Sequence, residues 1–79
     1  MERITLSRLK PGQEAMVLEN RCAPALNARL EDLGLTRGLM VTCLHRAPSG
    51  TPAAYSIRGA SIALRREDAE LILVGRMES

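Results

Sequence analysis

"RLEDLGLTRGLMV", residues 29–41, joins a helix to a strand through a tight corner. Leu26, Leu30 and Leu33 recur at i, i+4 and i+7, the spacing of one apolar helix stripe, with Arg29, Glu31 and Asp32 off that stripe. Pro24 suits the first turn, where its missing N–H removes no hydrogen bond. Gly34 stands where a helix end takes a positive φ, a conformation glycine adopts without a Cβ clash. Leu35 and Leu30 then make the apolar pair that accompanies a Schellman ending, and Gly38 launches the next segment. The stretch predicts an amphipathic helix of about three turns that stops abruptly and hands over to a strand.

Both flanks of this corner read as β. "QEAMVLE" (13–19) predicts a strand with Ala15 and Val17 on one face and Met16 and Leu18 on the other. Before it, Leu6 and Leu9 are spaced for one helical turn, and Pro11 and Gly12 reverse the chain. After the corner, "LMVTCLHR" (39–46) predicts a strand with Val41, Cys43 and His45 sharing a face. "APSGTPA" (47–53) is a loop, and "AYSIRG" and "SIALR" read as a hairpin around Gly59 and Ala60. "REDAE" (66–70) makes one turn of helix, and "LILV" (71–74) a buried last strand. The expected fold is mainly β: a small closed barrel of about five strands in one domain, 1–79, with its core over residues 6–75. The helix lies between the first two strands and the helical turn before the last. Closure would remove sheet edges that pair with other chains. Gly12, Leu30, Gly34, Leu35, Gly38, Gly59 and Leu64 are expected to serve this frame.

Composition narrows the chemistry. With no Trp or Phe and a single Tyr, the core must be aliphatic. Eleven basic residues face nine acidic ones, for a net charge of +2. The arginines are interleaved with Glu and Asp from Arg3 to Arg76, and one tyrosine cannot supply a base-stacking platform, so nucleic acid is not expected as a partner. An aromatic-lined groove for proline peptides is excluded on the same ground. Cys22 and Cys43 form no CxxC motif, and both thiols are expected to be reduced in a cytosolic protein. No apolar run has the length of a signal peptide core or a membrane span. One His without a Ser or Cys companion leaves no nucleophile–base pair, and "GLTRG" lacks the Lys-Ser/Thr of a phosphate loop. The chain does not read as an enzyme.

"LSRLKPGQEAMV", "LNARLEDLGLTRGLMVTCL", "APSGTP" and "YSIRGASIALRREDAELILV", in that order, resemble the FeoA domain over Leu6 to Val74. The chain departs from that pattern at Ser49 and Thr51, where the family's proline loop usually carries a large apolar residue and an Asp, and at Asp32 or Leu33, where a Met is common. The resemblance implies an SH3-like barrel and a partner rather than a reaction. It implies a cytosolic accessory of a bacterial ferrous iron uptake system, acting on a FeoB-type membrane GTPase and permease and reaching the inner membrane through it. Self-association is left open. An alternative is a metal-sensing regulatory module, since SH3-like domains of this pattern occur in metal-dependent repressors, although no helix-turn-helix is visible here; a small nucleic-acid-binding barrel is less favoured.

No cofactor is expected. Cys43 and His45, two apart on a strand, are the candidate ligands should Fe(II) or another transition metal bind, but two residues are an incomplete set. Cys22, before the helix, is a candidate for a thiol activated by the helix N-terminus, against the simpler reading of a structural thiol. Candidate partner contacts are the corner residues Leu35, Thr36 and Arg37, and the proline loop of Pro48, Ser49, Gly50, Thr51 and Pro52.

Overall fold

The computed structural model describes residues 1–77. The corner folds as its residues dictate. Helix α1 spans Pro24–Asp32, with Pro24 in its first turn. At its end the Leu35 N–H donates to the Leu30 carbonyl (2.9 Å) and the Gly34 N–H to the Glu31 carbonyl (2.9 Å), while Gly34 has φ +103°. These are the two bonds of a Schellman motif, and they satisfy carbonyls that the helix leaves open. A second feature at Gly34 is tertiary: a Cβ there would run into the side-chain carbons of Arg58. The helix begins without a capping side chain on Ala23. Asn27 instead donates its Nδ2 to the Asn20 carbonyl (3.1 Å), and Asn20 Oδ1 accepts the Cys22 N–H (3.0 Å).

The described residues form six strands: β1 (Glu2–Thr5), β2 (Glu14–Asn20), β3 (Met40–Arg46), β4 (Ala53–Ile57), β5 (Ala60–Leu64) and β6 (Ile72–Arg76). A 3₁₀ turn at Leu6–Arg8 and a one-turn helix α2 at Arg66–Ala69 complete the chain. All strand pairs are antiparallel, in the order β1-β6-β2-β3-β4-β5. The strand absent from the sequence reading is β1, whose single buried residue, Ile4, pairs with Val74 of β6. The helix therefore lies between β2 and β3. The sheet ends, β1 and β5, are not hydrogen-bonded to one another among the described residues, so the expected closure is not made by strand pairing.

The core is aliphatic around Tyr55, which is fully buried and directs its hydroxyl at the Leu6 carbonyl (3.4 Å). Leu6, Leu9, Val17, Leu30 and Ile72 belong with it to one buried cluster. Each such side chain contributes about 1.5–3 kcal/mol on burial. Two bulges interrupt the ladders, at Leu18 of β2 and Leu44 of β3. Leu71, expected inside the last strand, precedes β6 and is 43% exposed. The hairpin turn is Arg58–Gly59 rather than Gly59–Ala60: both turn residues have positive φ (+50° and +84°), the mark of a type I′ turn, and Ala60 already pairs with Ile57.

Candidate functional site

The corner and the proline loop sit at opposite ends of β3. That strand runs seven residues, so at roughly 3.3 Å per residue they stand on the order of 20 Å apart and do not form one interface. At the corner, Leu35 is only 1% exposed and belongs to the core, so it is not available to a partner. Thr36 and Arg37 are exposed. They are held rigidly, because the Thr36 carbonyl accepts the Leu39 N–H (3.0 Å) across a turn with Gly38 at φ +92°. Gly38 then donates to the Val17 carbonyl (2.8 Å), anchoring the turn to β2.

The proline loop spends much of its polarity on itself. Gly50 donates to the Ala47 carbonyl (2.7 Å), and Ser49 Oγ donates to the Thr51 carbonyl (2.8 Å). Thr51 Oγ1 accepts the Arg66 N–H (3.0 Å), which fastens the loop to α2. Arg46 lies under the loop and donates to the carbonyls of Ser7 (2.6 Å), Leu9 and Gly50. Pro48, Ser49 and Pro52 remain exposed.

Cys43 and His45 do not share a face. The bulge at Leu44 breaks the period of two, so Cys43, opposite Tyr55 on β4, is 0% exposed while His45 is exposed. Among the described residues no three His, Cys, Asp or Glu side chains gather as a metal-ligand group. Cys22 is not activated by the helix it precedes. Its Sγ reaches the Asp68 carbonyl (3.6 Å), and burial, reinforced by the Asp68 charge, pushes its thiol above the usual range. Burial does the same to Cys43, against a smaller opposing influence of Arg46.

What the residue pattern did not disclose is a groove of about 480 Å³ between α1 and β5. One wall is the leucine stripe of α1, the other Ile62 and Leu64, and Leu71 closes an end. The stripe is only partly covered. Leu30 is buried and Leu26 half-buried, but Leu33 is 37% exposed, as is Leu71 at 43%. Arg29, Arg65 and Asp68 form the polar rim. The signal in the sequence was the stripe itself, which declares an apolar face without saying what covers it. An aliphatic groove with a charged rim can hold a partner's apolar segment.

A family model described as the FeoA domain matches residues 4–76. The chain is 31% identical over 74 residues to an Fe(2+) transport protein A/Fe(2+) transporter FeoB fusion protein of Porphyromonas gingivalis, a match covering 94% of this chain and 9% of that protein. The chain thus spans less than a tenth of that relative's length. Among solved structures, the FeoA protein from Chlorobium tepidum superposes with a TM-score of 0.89 at 39% identity, over 95% of this chain and 71% of that one. The FeoA of Stenotrophomonas maltophilia, solved in complex with zinc and described as a procaryotic SH3 domain protein, superposes with a TM-score of 0.79 at 28% identity, over 90% of this chain and 88% of that one. Family model, relatives and SH3-like barrel agree: the chain belongs to the FeoA family.

Proposed function

We propose that this chain is a cytosolic, non-catalytic accessory of ferrous iron uptake that acts by binding a FeoB-type membrane GTPase and permease. The observation that carries this reading is the Porphyromonas gingivalis protein, in which a segment similar to 94% of this chain is joined to FeoB in one polypeptide. Fusion supplies a high local concentration of one part around the other. A separate chain must supply that affinity with its own surface, and the α1–β5 groove, with Leu33 and Leu71 open to solvent, is suited to the task. Among the described residues no helix is long and apolar enough to cross a membrane. In this reading the chain meets the membrane through its partner. Iron is the partner's cargo, GTP hydrolysis belongs to the partner, and this chain holds no resident metal.

The test is a pull-down of the FeoB-type protein's cytosolic domain with this chain, paired with ferrous iron uptake in cells lacking the gene. Association together with reduced uptake is expected. Unchanged uptake with no association would contradict the proposal.

A further inference from the structure

We propose that β5 is a strand-addition site: an extended partner segment, apolar at its centre and acidic at its ends, pairs with the β5 edge and seats side chains in the α1–β5 groove. This deepens the proposed association with a FeoB-type protein and rests on it for the partner's identity, though not for the chemistry of the edge.

The hydrogen-bonding register shows which groups are free. In a two-residue hairpin the residues flanking the turn form a hydrogen-bonded pair, here Ile57 and Ala60. Pairs alternate along an antiparallel ladder, so Tyr55–Ile62 and Ala53–Leu64 are also bonded, and Ser56–Ser61 and Ala54–Ala63 are not. The N–H and C=O groups of Ser61 and Ala63 therefore point away from β4. β5 is the last strand of the sheet, and both residues are exposed. Edge strands are commonly blunted by Lys, Pro, an inward charge or a bulge. β5 reads Ala-Ser-Ile-Ala-Leu, with none of these devices. A helix faces the same edge across an apolar groove, and an edge strand beside such a groove is the arrangement in which backbone bonds give affinity and alternate side chains give specificity.

Charge selects the occupant. Arg58 precedes β5, Arg65 and Arg66 follow it, and Arg29 looks onto the groove from α1. Arg65 pairs with Glu67 (3.7 Å) and Asp68 (3.3 Å), whereas Arg29, Arg58 and Arg66 have no ion-pair partner among the described residues. A second copy pairing antiparallel about Ile62 would set Arg58 opposite the other copy's position 66, an arginine, at both ends. Like charges directly opposed destabilise a strand pair. A segment with carboxylates at its ends meets the same arginines favourably.

The experiment follows backbone amides of the ¹⁵N-labelled chain by NMR and hydrogen exchange with two probes. One is the cytosolic GTP-binding domain of the FeoB-type protein from the same genome. The other is the peptide acetyl-Glu-Val-Thr-Val-Thr-Val-Glu-amide, with its Lys-ended counterpart as control. Expected results are slowing of Ser61 and Ala63 exchange by at least about tenfold, weaker binding of the Lys-ended peptide, and loss of both effects in Ser61→Pro. Proline is tolerated where an edge N–H faces solvent, so that variant should keep its fold; Ala63→Pro replaces it if it does not. Domain binding that leaves Ser61 and Ala63 unchanged overturns the strand-addition site while the association stands. Peptide pairing without domain binding supports the site and removes the assigned partner. Failure of both probes, or a concentration-dependent dimer that protects these amides without a probe, overturns the inference.

Discussion

Replacing Gly34 by alanine loads two separable penalties onto one position. The first is local: φ at residue 34 is +103°, and an L-residue held on the left-handed side costs about 1–2 kcal/mol. The second is tertiary, because the new methyl must displace Arg58, whose stem lies over Gly34 at the C-terminus of α1. Moving that cation from the negative end of the helix dipole forfeits about 0.3–1 kcal/mol. Lost contact of its stem adds about 0.8 kcal/mol for each exposed methylene. Together Gly34→Ala should cost about 2–4 kcal/mol, of which about 1–2 kcal/mol depends on Arg58. Urea unfolding followed by circular dichroism reads this directly in a double-mutant cycle with Arg58→Gly, a change that also suits the positive φ of position 58. In that background the cost of Gly34→Ala should fall to the local penalty alone. A cost below about 1 kcal/mol, or one equal in both backgrounds within about 0.5 kcal/mol, would refute this account of the corner. Gly34→Val, with a branched side chain, should be worse still.

The two leucines of the α1 stripe should separate stability from binding. Leu30→Ala removes a buried anchor and should cost about 2–5 kcal/mol, whereas Leu33→Ser should leave the urea midpoint nearly unchanged and weaken association with the FeoB-type domain. Burial raises Cys22 and Cys43 from an ordinary 9.0 and Tyr55 from 10.0. The unfolded chain therefore loses these protons first, and stability should fall as pH rises above about 9; a urea midpoint flat to about pH 11 would contradict that sign. Because the bulge at Leu44 parts Cys43 from His45, neither Cys43→Ala nor His45→Ala should change Fe(II) or Zn(II) titrations by calorimetry. Saturable binding lost in both variants would restore the metal-sensing alternative.

Local chemistry was legible in the sequence, and tertiary accommodation was not. The end of α1 could be read residue by residue, since Gly34, Leu35 and Leu30 each have one role in a Schellman ending. β1 could not, because four residues with a single inward side chain carry no period; its pairing with β6 makes it a strand. The hairpin turn was displaced by one residue, since an arginine at φ +50° runs against the usual preference for glycine, asparagine or aspartate there. The same limit misplaced His45: a bulge leaves no mark in the spacing of Val41, Cys43 and His45. Leu35 was legible as a contact but not as a buried one, and the groove beside Leu33 depends on where β5 comes to rest.

In the proposed function, this chain binds a FeoB-type protein through the α1–β5 groove. Calorimetric titration of the FeoB-type cytosolic domain into this chain, beside Leu33→Asp at equal stability, tests it most directly. Saturable binding to the native chain and its loss in Leu33→Asp are expected. Equal binding by both chains, or none by the native chain, would contradict it.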